Sequence, residues 1–151
     1  MAKIIFRLPT DEDVYQLGVQ LRQSDLDEIE VSCRLAPHEA VLQSVLASDP
    51  EFLWAVYADD VLLGIGGCSF HGHPWLLGTD ALADYQFSLG RYARKKLKLM
   101  RAKYPLLSNL IDVRQSSTRK WLACLGFVET KVVELVEGFP LVVFVLGDGH
   151  V

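Results

Sequence analysis

The chain has 151 residues, 19 acidic against 15 basic for a formal net charge of −4, and half of them are hydrophobic. That length and composition predict one domain that buries roughly 70% of the surface its unfolded chain exposes, and they exclude a disordered chain, which would be poorer in apolar residues and more highly charged. The acidic balance argues against nucleic-acid binding, no apolar run approaches the ~20 residues of a membrane helix, and residues 1–9 show no secretory signal.

Residues 3–8 read as a first strand ended by Pro9. Thr10 followed by Asp13 has capping-box character, and Val14, Leu17 and Leu21 recur at helical spacing, so an amphipathic helix is expected over residues 11–21. Residues 24–33 and 37–47 predict a second helical region, broken in the middle, with Pro37 suited to a first helical position. Asp49-Pro50 is expected to end it. A hairpin follows, with strands at 52–58 and 61–69 joined by Asp59-Asp60. Gly64, Gly66 and Gly67 inside the second of these imply a bulge or a close backbone approach; they stand in no G-x-G-x-x-G frame opening a helix, which argues against a dinucleotide site.

His71 to Pro74 reads as a turn and residues 75–79 as a short fourth strand. Residues 89–104 form a long helix stopped by Pro105, and 106–113 a fifth strand. A short helix is expected over 116–125, with Ser116 or Ser117 as N-cap and Gly126 as a left-handed stop. Residues 127–136 and 141–146 close the chain as a hairpin around Gly138. Strand four, the long helix and strand five read as a parallel crossover, with antiparallel hairpins on either side. The predicted class is α/β, a mixed central sheet of about seven strands with helices on both faces.

The long helix carries Arg91, Arg94, Lys95, Lys96, Lys98, Arg101 and Lys103, seven of the 15 basic residues. Solvation of an exposed face explains most of them. Arg91 and Arg94, near the helix start, are kept as ligand candidates. Cys68, His71 and His73 carry metal-type donors, but no second ligand pair lies nearby in sequence, so a turn is read rather than a metal site. His71 or His73 could take a proton from an amine. Asp80, just past strand four, could do the same if desolvated; equally, Asp80 or Asp84 caps a turn, and Asp112 has the same ambiguity. His38 and His150 carry no signal. Ser116 and Ser117 lack the elbow of a nucleophilic serine, and Trp54, Trp75 and Trp121 read as core or groove wall. Cys33, Cys68 and Cys124 are odd in number and widely spaced, which predicts free thiols and a reducing, cytoplasmic setting.

The element order, together with Gln115-Ser-Ser-Thr-Arg-Lys-Trp-Leu-Ala-Cys-Leu-Gly-Phe127, is similar to the GNAT superfamily of N-acetyltransferases, whose fourth-helix motif runs N-x-x-A-x-x-x-Y-x-x-x-G-F. More narrowly, Trp75 to Asp80, the basic helix and Arg119 to Phe127 resemble a family of small acetyltransferase-like proteins of short-tailed phages, some of them internal virion or assembly proteins. The resemblance implies an acyl-CoA N-acyltransferase fold. It implies acetyl-CoA as co-substrate and an unidentified amine or protein as acceptor. Strands four and five would splay, Leu77, Gly78 and Thr79 would line the splay, and Gly90, Arg91 and Arg94 would face the phosphates.

The superfamily's phosphate loop is usually [RQ]-x-x-G-x-[GA]. Here Phe87 stands three residues before Gly90 and Tyr92 two after it, while Gln86 is one place too early. Gln115 replaces the motif's asparagine and still offers an amide to the cofactor. Leu122 replaces the tyrosine that protonates the departing thiolate. The implied base is Asp80, His73 or a water, and residues 24–47 would line the acceptor side. The alternative implied role is a degenerate relative that acts in virion assembly or binds a phage or host protein.

Overall fold

The computed structural model describes residues 2–147, so His150 lies outside the described residues. In chain order the elements are β1 (Ile4–Arg7), α1 (Asp11–Gln20), α2 (Gln23–Ser32), α3 (Pro37–Leu46), β2 (Ser48–Ala58), β3 (Val61–Ser69), β4 (Pro74–Gly78), α4 (Leu82–Tyr85), α5 (Gly90–Lys103), β5 (Leu106–Asp112), α6 (Ser116–Cys124), β6 (Val128–Val136) and β7 (Phe139–Gly147). The strands form two sheets, ordered β1-β2-β3-β4 and β5-β7-β6, where the sequence predicts one mixed sheet. β4 ends the first sheet and β5 ends the second. Apolar patterning marks strands but carries no record of where a ladder stops.

The chain gathers into two compact units, the described residues of Met1–Phe70 with Trp75–Tyr85 and those of His71–Pro74 with Gln86–Val151. In the first, α1 begins as its sequence dictates: the Thr10 hydroxyl accepts from the Asp13 N–H at 3.2 Å, and the Asp13 carboxylate accepts from the Thr10 N–H at 2.9 Å. Leu17, Val41, Ala55 and Ile65 are fully buried at the centre of this unit's core. The helical region breaks where Arg34 takes a positive φ of 56°.

β2 begins at Ser48, four residues before its expected start, and so contains Asp49-Pro50. A register shift between Ser48 and Leu53 accommodates the proline, which a regular ladder would exclude. The glycines of β3 are a close backbone approach: a Cβ on Gly64 would collide with the Leu77 carbonyl, and one on Gly67 would stand 2.7 Å from the Phe52 carbonyl. α4 is a single unpredicted turn, held by the fully buried Leu82.

In the second unit, Phe127 meets Phe144 edge-on at 5.1 Å. Gly126 closes that helix at φ 103°, as expected. Its N-cap is Gln115 rather than either serine, and the Gln115 side chain makes no cap bond. The segment His71–Pro74 belongs here because the Ser108 N–H donates to the Gly72 carbonyl at 3.1 Å and Asn109 Nδ2 donates to the Pro74 carbonyl at 2.8 Å. Among the described residues, no helix is long and apolar enough to cross a membrane.

Candidate functional site

In the first unit, the chemistry gathers along β4. The Leu77 and Trp75 carbonyls lie against Gly64 and Gly66 of β3, and the Thr79 N–H donates to the Leu63 carbonyl at 2.9 Å. Alternation then turns the backbone groups of Leu76 and Gly78 to the opposite edge, where the sheet has no further strand. Gly78 is already engaged there. Its N–H donates to Asp25 Oδ2 at 2.8 Å, and its carbonyl accepts from the Arg22 N–H at 2.9 Å.

Leu77, Gly78 and Thr79, the expected lining, are therefore committed to the fold. Leu77 packs on the core, both Gly78 groups are bonded, and the Thr79 hydroxyl donates to the Leu62 carbonyl at 2.9 Å. Leu76 is the β4 position whose backbone faces the free edge. Sequence reasoning missed it because β4 is apolar at successive positions, which hides the phase of its alternation.

Asp25, also unassigned from sequence, is 3% exposed. Its Oδ2 accepts from Arg22 Nε at 2.8 Å as well as from Gly78. Burial pushes its carboxyl above the ordinary aspartate range, against the opposing pull of the Arg22 charge and the two hydrogen bonds. The readable signal was Arg22-x-x-Asp25 at the start of a helix. Asp80, by contrast, is exposed.

In the second unit, His73 is exposed, and its Nδ1 lies 2.7 Å from the Ser108 carbonyl, a contact that assigns the proton to that nitrogen. Its ring lies 6.4 Å from that of His71. At the start of α5 the Gly90 N–H donates to the Phe87 carbonyl at 3.1 Å and the Ala93 N–H to the Leu89 carbonyl at 2.8 Å, while the Arg91 N–H has no acceptor among the described residues. No side chain caps this helix and no acid stands in its first turn, so its positive end is uncompensated.

A Cβ built on Gly90 would meet only Arg94 Nη1, at 3.7 Å. Arg94 is held in place by a bond from Nη2 to the Cys124 carbonyl at 3.0 Å. Phe87, which by bulk alone would crowd this turn, is 77% exposed. Gln86 is 7% exposed, and its Nε2 is sealed without a partner. The Gln115 side chain is half-buried and Leu122 likewise. Cys68 is fully buried, and burial followed by the charge of Asp49 lifts its thiol to about 11, which leaves it inert as a nucleophile.

No protein-family model matches this sequence, and no curated protein matches it. Solved structures do match its fold. The aminoglycoside acetyltransferase AAC(6')-Ib in complex with coenzyme A is 16% identical, with 96% of this chain and 95% of that one covered at a TM-score of 0.67. Naa50 of Arabidopsis thaliana, in complex with a bisubstrate analogue, is 16% identical over 96% of this chain and 99% of that one, at 0.65. A GNAT-family acetyltransferase of Bacillus anthracis is 10% identical over 97% and 96%, at 0.63. At such identities the likeness establishes the fold, an α/β arrangement of the GNAT kind.

Proposed function

We propose that this chain is an acetyl-CoA-dependent N-acetyltransferase that acts on an amine. The observation that carries the reading is the free outer edge of β4 at Leu76, a backbone N–H and C=O facing away from the sheet. Acetyl-CoA supplies a thioester carbonyl activated for acyl transfer. The Leu76 edge would bond the pantetheine arm and polarise that carbonyl, since a fixed N–H stabilises the charge that develops on its oxygen.

The start of α5 supports a phosphate reading. A Cβ at Gly90 would meet only Arg94 Nη1, at 3.7 Å, so the position leaves room beside that guanidinium, and the helix start carries no compensating acid. In this reading Gly90, Arg91 and Arg94 hold the phosphates, and the unbonded Gln115 amide offers a further contact.

Thermal melting with acetyl-CoA tests the reading. At 100-fold over the dissociation constant, binding adds about 2.7 kcal/mol, which for a chain of this size raises the melting temperature by about 5–10 °C. No shift at millimolar acetyl-CoA would overturn it. Gly90→Val should weaken acetyl-CoA binding at least tenfold and leave melting without ligand within a few degrees; unchanged affinity would put the phosphates elsewhere.

A second reading is favoured by Leu122, which has no proton to give a departing thiolate. It makes the chain a silent relative that binds a phage or host protein during assembly. Acetyl-CoA binding without thiol release over a panel of amines would select it.

A further inference from the structure

Two surfaces of unlike charge carry apolar side chains that the fold leaves uncovered. In the first unit, α1 and α3 pack so closely that a Cβ on Gly18 would stand 2.6 Å from the His38 Cα. Tyr15 lies three residues from that contact on α1 and Leu42 four residues from it on α3, spacings that keep each on the contact's side of its helix. Val19 and Leu46 follow one turn on. All four are exposed, Val19 at 68% and Leu46 at 72%. Exposed acids stand one turn before them, Asp11 and Glu12 ahead of Tyr15 and Glu39 ahead of Leu42. Neither helix has a lysine or arginine, and these three acids bond no basic side chain among the described residues.

In the second unit, α5 has the reverse charge, with seven cations and no acid. Leu99 is 59% exposed, and its neighbours three and four residues away are Lys95, Lys96, Ala102 and Lys103. Tyr92, seven residues before Leu99, shares its face. Lys95 lies between the two and bonds no acid among the described residues. An apolar seam rimmed by acids thus matches an apolar ridge rimmed by lysines. We propose that copies of this chain associate head to tail, with α5 of one seated on the α1–α3 seam of the next. Every copy carries both surfaces, and one contact covers both, where a basic partner would cover the seam alone and an anionic one α5 alone. Because the two surfaces differ, each contact leaves a seam free at one end and an α5 at the other, and association continues from copy to copy.

Sedimentation of the full chain up to submillimolar protein tests this. At low salt the mean mass should climb with concentration past twice the 16.9 kDa of one chain, and added salt should drive it back. Lys95→Glu with Leu99→Glu removes the ridge, and Tyr15→Ser with Leu46→Ser removes the apolar part of the seam. These four side chains are exposed, so both double variants should melt within a few degrees of the parent. Each alone should keep the mass of one chain. Mixed in equal amounts they should form a dimer and nothing larger, since one brings an intact seam and the other an intact α5. A zero-length carbodiimide, which joins a lysine amine to a carboxylate, should link Lys95 to Glu12 or Glu39 in the parent. When isotopically labelled and unlabelled parent are mixed, those links should join labelled to unlabelled peptides.

A parent that holds the single-chain mass at every concentration would overturn the proposal, and its sedimentation with anionic vesicles would then assign α5 to a lipid surface. Double variants that assemble as the parent does would overturn it, as would a mixture that forms no dimer. Should either variant fail to fold, the parent alone decides: the absence of any link between labelled and unlabelled chains would overturn it.

Discussion

Asp13 is buried, yet it is charged because four hydrogen bonds converge on it. Arg7 donates at 2.9 and 3.1 Å, the Thr10 N–H at 2.9 Å, and the Tyr57 hydroxyl also donates. Burial pulls its carboxyl upward, but the bonds from Thr10 and Tyr57 and the charge of Arg7 outweigh it and hold it below the ordinary range. The stabilisation is therefore complete above the unfolded value of ~3.9 and is lost as pH falls through the depressed folded value. Asp13→Ala should cost about 2–3 kcal/mol, and Asp13→Asn should flatten the loss of stability below about pH 4, both read from urea unfolding at several pH values. Tyr57 is the mirror case. Burial first, then the bond and charge of Asp13, raise its phenol to about 12. Its contribution is present below ~10 and disappears as pH rises through the folded value. Titration at 295 nm should show a late phenol that is absent in Tyr57→Phe and moved toward the ordinary range in Asp13→Asn. Half of this cluster was legible in sequence: Thr10 and Asp13 are three residues apart and meet by helix geometry alone. Tyr57 lies 44 residues from Asp13 and arrives through the pairing of β1 with β2, a register that no local pattern states. Asp25 escaped for the same reason, since its partner Gly78 is 53 residues away.

Among the elements, glycine positions separate what is packed from what merely turns. A methyl on Gly64 would strike the Leu77 backbone carbonyl, which can yield only if β3 and β4 part. Gly64→Ala should therefore cost about 3 kcal/mol or more, seen as a lower urea midpoint with an unchanged slope. Gly138 closes the β6–β7 hairpin at φ 79° with nothing within 4 Å of a built Cβ. Gly138→Ala meets only the backbone penalty, about 1–2 kcal/mol. A larger loss at Gly138 than at Gly64 would contradict the close approach. The clustering of Gly64, Gly66 and Gly67 made that approach legible from sequence, as Gly126 and Pro37 made the helix ends legible. The early start of β2 was not, because Asp49-Pro50 reads as a stop unless a register shift absorbs it. The division into two sheets was hidden too: β4 and β5 are both apolar, and hydrophobicity is silent on hydrogen-bond partners.

For the whole molecule the question is cooperativity. The chain passes from one unit to the other at Phe70, returns after Pro74 and leaves again after Tyr85, so the segment His71–Pro74 belongs to one unit and lies in sequence between two strands of the other. Bonds from Ser108 and Asn109 anchor that piece, and β4 starts from its last residue. Melting of β5 would release Gly72 and Pro74, and Pro74 is the first residue of β4. The expectation of one domain predicts that the two units melt together. Calorimetry should therefore show one transition carrying about 100 kcal/mol near 60 °C, at ~0.7 kcal/mol per residue, with the van't Hoff enthalpy equal to it. Acetyl-CoA should move that transition whole. Two resolved peaks, each with roughly half of the heat, would overturn the one-domain expectation, and a ligand that moved one of them would locate its site on that unit alone.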